Sequence, residues 1–270
     1  MPSIEFKRVD EDMPGIDDEI NEIIGFLLSH REYLTPFSRI LTNMPLNFVG
    51  NPRFTKELES YLTEEFSANE YFFENSFSQV EVKKLISVLT SYFAIYDDYK
   101  LQAFIKNNSR YKIQDSSPRG LQKEAFGRLK GYLFERLVCE LLAPCYSGVG
   151  CLFETGCVII INGVEVSVIH NCIHRRTMDV AGLNSVHAGK IIECKVSPIR
   201  INELAVKYGV LLKSRLESSG FAAVEVGFIT AGAKNMVQLK ISEQIKNLGI
   251  SDPGLTAYDM NDIRIFSECS

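Results

Sequence analysis

The sequence predicts an α/β protein in two parts. A layered domain with a mixed sheet, its core in the order α-β-β-β-α-β, follows a mainly helical N-terminal domain. Three observations carry this expectation. Apolar residues of the first hundred positions recur at helical spacing. Further along, short β-rich runs alternate with helical stretches, the pattern of a layered α/β unit. Charge divides the same way: residues 1–110 hold 11 Lys+Arg and 18 Asp+Glu, whereas residues 111–270 hold 18 and 16. The expected units are 1–112 and 113–270, divided in the polar segment Asn107–Pro118.

In the first part, Ile16, Ile20, Ile23, Ile24 and Leu27 follow Pro14-Gly15 at helical intervals, and Phe54, Leu58 and Leu62 repeat the spacing. Ser78 with Glu81 forms a capping box, after which Leu85, Leu89, Tyr92 and Phe93 supply an apolar stripe. The second part opens with a helix over about Leu121–Leu142, marked by Leu129, Leu133, Leu137 and Leu141. In CVIIINGVEVSVI two apolar runs meet at Asn162-Gly163, the strongest short hairpin signal. Thr177–Ala181 and Lys190–Val196 read as strands joined by the turn-rich GLNSVHAG. A helix at about Ile201–Glu217, a strand at Ala223–Thr230, a helix at about Asn235–Leu248 and a last strand near Asp262–Phe266 complete the order.

The 270 residues are 46% hydrophobic and 23% charged, proportions of an ordinary globular protein. No apolar run approaches the roughly 18 residues of a membrane span. The start, MPSIEFKRVDEDMPG, is acidic where a secretory leader is basic and then apolar. Seven cysteines form an odd set without C-x-x-C pairs, which suits a reducing compartment. A cytoplasmic protein with no membrane partner is therefore expected. The net charge of −5 argues against nucleic acid only when undivided, because the acidity belongs to the first part. The densest basic stretch runs through Lys106, Arg110, Lys112, Arg119, Lys123, Arg128 and Lys130.

The sharpest chemical signal is Ile191-Ile192-Glu193-Cys194-Lys195-Val196. On a strand Glu193 and Lys195 share one side, while Ile192, Cys194 and Val196 share the other. Charges on an otherwise apolar strand are costly unless paired or used. A reversing loop lays the short strand of Asp179 beside this one, bringing Asp179, Glu193 and Lys195 to one sheet end. Such an oxygen-rich set with an adjoining cation suits Mg²⁺, or Mn²⁺ as its substitute. A metal there would neutralise charge on a scissile phosphate, and the lysine would orient a nucleophile. His170, Cys172 and His174 on one strand face offer a zinc alternative, although no spacing matches a usual zinc motif. No P-loop, dinucleotide fingerprint or Gly-x-Ser-x-Gly elbow is present.

Asp179…Glu193-Cys194-Lys195 resembles the D…(D/E)-x-K signature of the restriction endonuclease-like PD-(D/E)xK nucleases. The helical segment Gly131–Leu142, with Phe134-Glu135 and the following Val138 and Leu141-Leu142, is similar to that of methyl-directed restriction enzymes and archaeal-type resolvases. The resemblance spans about residues 120–230 and departs at Met178, where the family often has proline. It implies a restriction endonuclease-like core and a Mg²⁺-dependent endonuclease with Glu135, Asp179, Glu193 and Lys195 catalytic. Asp179, Glu193 and Glu135 would serve the metal. Helical geometry sets Glu135 off the centre of the leucine stripe, toward the edge marked by Val138 and Leu142.

The expected substrate is nucleic acid, above all double-stranded DNA, with a restriction or defence-type role by analogy. Arg119, Lys123, Arg128 and Lys130 are expected to seat the phosphate backbone, as are Arg175 and Arg176, which precede the Asp179 strand. Lys190 and Arg200 flank the second strand on similar terms, and His187 reads as a loop histidine. A homodimer would suit cleavage of both strands. The helical part would read the target, hold a protein partner or restrain the nuclease. The alternatives are an RNA or branched-DNA nuclease with the same site, and a non-catalytic nucleic-acid-binding module retaining the fold.

Overall fold

The computed structural model describes residues 2–9, 17–44, 54–67, 79–93, 118–251 and 254–268. The chain forms two compact units, Met13–Leu133 and the pair of segments Met1–Asp12 and Phe134–Ser270. The boundary expected at residue 112, the Ser78 cap and the side chains of Arg119 and Lys123 lie outside the described residues.

The first unit is helical: α1 (Asp17–Ser29), α2 (Leu34–Asn43), α3 (Phe54–Ser67), α4 (Gln79–Phe93) and the first part of α5 (Pro118–Leu142). The residues that recur at helical spacing are its core. Ile20, Ile23, Leu27, Leu58, Leu62, Leu85 and Leu89 are all buried, each contributing about 1.5–3 kcal/mol from leaving water. Tyr92 brings a polar tip inside and donates its hydroxyl to the Leu129 carbonyl at 2.9 Å.

The second unit is built on a mixed sheet. Its strands are β1 (Ile4–Arg8), β2 (Leu152–Ile161), β3 (Val164–Glu165), β6 (Thr177–Leu183), β7 (Gly189–Lys195), β8 (Val224–Thr230) and β9 (Thr256–Tyr258). The order is β1-β2-β6-β7-β8-β9, with β3 paired to β2. Pairing is antiparallel from β1 through β7 and parallel from β7 through β9. Parallel neighbours need long crossovers, and α6 (Glu203–Ser218) and α7 (Lys234–Leu248) provide them. Ile159, Ile191, Leu212, Phe228 and Ile241 lie together in the core between sheet and helices.

The Asn162-Gly163 turn forms as its sequence predicts, with φ of 52° and 77°. Both values are positive, the geometry that lets a two-residue turn follow strand twist. Gly189 permits the closest approach of β6 to β7, since a Cβ there would overlap the Gly182 carbonyl oxygen.

Three expectations are corrected. Ile4–Arg8 is not in the helical unit but is a sheet strand, with Ile4 opposite Ile161 and Arg8 opposite Cys157. The last strand is Thr256–Tyr258, and the residues near Asp262–Phe266 belong to helix α8 (Met260–Glu268). Asp259 explains the helix: its Oδ1 accepts from the N–H groups of Asn261 and Asp262, and Asp262 Oδ2 accepts from the Asp259 N–H. Finally, His170, Cys172 and His174 do not share one strand. They lie on β4 (Val168–His170), a turn, and β5 (Ile173–Arg175). Asn171 and Cys172 take φ of 49° and 63°, so the segment reverses.

Candidate active site

The β6–β7 ladder runs from Leu183–Gly189 to Val180–Ile192 and ends there. The next positions in register are Asp179 and Glu193, at the point where the strands part. Asp179 Oδ2 accepts from the Cys194 N–H at 2.7 Å, supplying the acceptor that the β6 backbone no longer offers. On its other side β7 remains paired, with Glu193 opposite Phe228 and Lys195 opposite Thr230. The acids thus stand on adjacent strands at a local opening in the ladder, with Glu193 on the one that stays paired to β8.

Glu193 is 1% exposed, and its partners explain how a charge survives there. Arg175 Nη2 donates to its Oε2, and Lys195 Nζ forms an ion pair with its Oε1. Oε1 itself is fully buried against that ammonium. Lys195 Nζ also donates to the Cys194 carbonyl at 2.8 Å and stands 3.6 Å from Asp179 Oδ2. Three oxygens from three residues therefore converge on one ammonium.

Burial pushes the Asp179 carboxyl up to about 6, with the Glu193 charge adding to the shift against Lys195 and Arg175. Burial pushes Glu193 up too, but Lys195 and Arg175 outweigh it and hold the carboxyl below its ordinary value. The pair is thus divided into a weakly acidic Asp179 and a firmly ionised Glu193. Lys195 is held above its ordinary value: burial alone would lower it, and Glu193, Asp179 and Glu135 reverse the sign.

Glu135 enters through that last effect. It is half-buried on α5. Its charge acts on Lys195 and on two thiols, Cys139 one turn along the same helix and Cys194 on β7. Burial, then Glu135 and Asp179, push the Cys139 thiol up. Cys194 is raised by burial first, then Asp179, Cys139 and Glu135. Among the described residues no group of three His, Cys, Asp or Glu side chains is gathered as a metal site. The converging carboxylates are the pair Asp179 and Glu193, and the zinc alternative at His170, Cys172 and His174 has no such cluster. His170 instead faces Glu203 at 3.3 Å.

The expected phosphate contacts are placed unevenly. Arg176 is 50% exposed and 3.6 Å from Glu165. Arg175 is engaged inward with Glu193. Lys130 is 8% exposed, donates to the Met44 carbonyl at 3.4 Å and lies over the Phe126 ring. That placement gives it a structural role inside the helical unit instead of a phosphate contact. Arg128 is half-buried in the same unit, and Arg200 is exposed. Lys190 pairs with Glu225 at 2.5 Å. His187 takes φ of 60° in the β6–β7 turn and packs on Phe221, ring centroids 5.4 Å apart.

Two residues take roles that their sequence positions do not announce. Arg175, a phosphate-backbone candidate in the sequence, holds Glu193. Tyr208 reads as one apolar helix position, yet its ring lies under the Arg175 guanidinium and its hydroxyl donates to the Arg176 carbonyl at 3.0 Å. Both depend on the β4–β5 reversal, which spacing does not disclose. No helix among the described residues is long and apolar enough to cross a membrane. No protein-family model and no curated protein matches the chain.

Proposed function

We propose that the protein is a Mg²⁺-dependent phosphodiesterase of the restriction endonuclease-like type, an endonuclease acting on duplex DNA. The observation that carries this reading is the meeting of Asp179, Glu193 and Lys195 where β6 and β7 part. The donor set fits a hard divalent cation. Two carboxylates and the Cys194 carbonyl converge on a position now taken by an ammonium, with the fully buried Glu193 Oε1 turned to it. Asp179 and Glu193 would hold the metal, with Glu135 adding negative charge nearby. When bound, Mg²⁺ would supply charge neutralisation at the scissile phosphate and a more acidic water.

The chain's own residues do the rest. Cys194 N–H orients the Asp179 carboxylate, and Arg175 orients Glu193. Lys195, freed from the acids, would direct its ammonium to the phosphate oxygens, where transition-state charge grows. Arg176, exposed beside the site's own strand, would contact the phosphate backbone. The order of α5, β2, β6, β7, α6 and β8 supports the restriction endonuclease-like reading.

One observation favours a second reading: two acids meet two cations, so the cluster is charge-balanced by protein groups alone. A non-catalytic nucleic-acid-binding module would need nothing more. The test is a cleavage panel of duplex DNA, single-stranded DNA, RNA and junctions with Mg²⁺ or Mn²⁺. Cleavage of duplex DNA, lost in Asp179→Ala and Lys195→Ala, is expected. Cleavage that survives those substitutions removes the site from the reaction. Binding without cleavage of any member selects the module, and preference for RNA or junctions changes the substrate.

A further inference from the structure

Resting on the metal-site reading above, we propose that Arg175 sets the metal preference of the site. It engages one oxygen of Glu193, so that the carboxylate meets a cation chiefly through Oε1. Arg175 is then a positioning residue and not a phosphate contact.

Arg175 is the last residue of β5, paired in register with Val168 of β4. Its guanidinium lies 5.9 Å from the centroid of the Tyr208 ring. Tyr208 is itself fixed, since it is buried on α6 and its hydroxyl donates to the Arg176 carbonyl at 3.0 Å. Strand pairing, a ring and a tethered neighbour thus direct Nη2 to Glu193 Oε2. With Arg175 19% and Glu193 1% exposed, water competes weakly for that bond. The opposite oxygen, Oε1, is fully buried and paired with the Lys195 ammonium. The two oxygens of one carboxylate are therefore unequal: one is clamped by an arginine, and the other is directed at the cation position.

The inequality matters to metal chemistry. Ca²⁺ takes about six to eight oxygens and often gains two of them from one bidentate carboxylate. Mg²⁺ demands near-octahedral geometry, keeps several waters, and is held through one or two carboxylates. With one lone pair of Oε2 engaged and its direction set by Arg175, a bidentate grip by Glu193 is weakened. The small octahedral cation keeps its ligands, whereas the large one loses a ligand. Arginine suits the task because its planar, permanently charged head holds its direction better than a lysine ammonium.

The test uses the full chain without nucleic acid. Mg²⁺, Mn²⁺ and Ca²⁺ are titrated by calorimetry, and the metal-induced rise in unfolding temperature is followed in parallel. Wild type is compared with Arg175→Met, which keeps a stem to pack on Tyr208 but frees Oε2, and with Arg175→Lys. Arg175→Met is expected to raise Ca²⁺ affinity relative to Mn²⁺ by about tenfold, and Arg175→Lys by about threefold in the same direction. A folded Arg175→Met whose Ca²⁺/Mn²⁺ ratio stays at the wild-type value overturns the proposal. If that variant is not recovered folded, Arg175→Lys decides by the same criterion. Wild-type protein that binds none of the three cations overturns the metal site itself, together with the role of Arg175. Wild-type binding with an unmoved ratio in the variants overturns only the latter.

Discussion

The carboxylate of Asp179 is the hydrogen-bond acceptor for the main-chain N–H of Cys194, at 2.7 Å. One side chain thereby ends the β6–β7 ladder and lines the candidate site. Replacing it separates the two roles. Asp179→Asn keeps an acceptor for Cys194 and should stay within about 1 kcal/mol of wild type, while Asp179→Ala leaves a buried N–H orphaned and should lose about 1–3 kcal/mol. Both should abolish cleavage. Urea unfolding beside a cleavage assay checks this, and an active Asp179→Asn would contradict the metal role.

Lys195 balances the two acids where three oxygens converge. Lys195→Ala is expected to lower cleavage by about 100-fold or more, the usual scale for losing a preorganised charge in a transition state. It should also leave the two carboxylates facing each other with Arg175 but without the ammonium between them. Mg²⁺ should then raise the unfolding temperature of the variant by more than that of wild type. An equal rise in both would mean that the ammonium and the metal do not compete.

The raised Asp179 value of about 6, against about 3.9 for an unfolded aspartate, fixes a direction for pH. The folded metal-free protein holds this proton more tightly. The associated stability is present below about pH 4 and is lost as pH rises through 6. Glu193, held low, acts oppositely: its contribution is present above its ordinary value and is lost as pH falls through the lowered one. Between pH 4.5 and 7 the Asp179 effect should dominate. Wild type should therefore lose stability relative to Asp179→Asn as pH rises across that interval, measured as urea midpoints. A relative gain would contradict the assignment.

Arg176 and Lys130, alike in the sequence as basic candidates, should behave differently. Arg176→Ala is expected to weaken DNA binding and to reduce the slope of log affinity against log salt by about 1. Lys130→Ala should leave that slope unchanged and cost roughly 1–2 kcal/mol, because the buried Met44 carbonyl loses its donor. Filter binding across a salt series, with unfolding curves, distinguishes them.

Gly189→Ala tests the strand approach behind the site. The added Cβ would overlap the Gly182 carbonyl, so a loss of about 1–3 kcal/mol is expected. Unchanged stability would show that β6 and β7 can separate here.

Local chemistry made much of this legible. Asn162-Gly163 specifies its turn from two residues, and the leucines of α5 mark their buried face without help. Glu193 and Lys195 stand out because Ile191, Ile192 and Val196 surround them with apolar neighbours. Features decided by distant partners were hidden. Ile4–Arg8 becomes a strand through β2, which lies far along the chain. The turn at Asn171-Cys172 lacks the glycine that announces such reversals, so Arg175 and Tyr208 could not be placed. The last helix is hidden differently: Asp259 and Asp262 carry a capping signal, and the apolar residues after them read equally well as a strand.

The pairing of β1 with β2 makes the helical unit an insertion between the first strand and the remainder of its sheet. During synthesis, Ile4–Arg8 emerges about 150 residues before its partner, an interval of roughly 8–30 s at ordinary elongation rates. The strand must wait, unpaired, while the inserted helices have time to fold. Assembly of the sheet that carries Asp179 and Glu193 is therefore a late, long-range event, and its completion depends on recapturing a segment made long before the rest of the sheet.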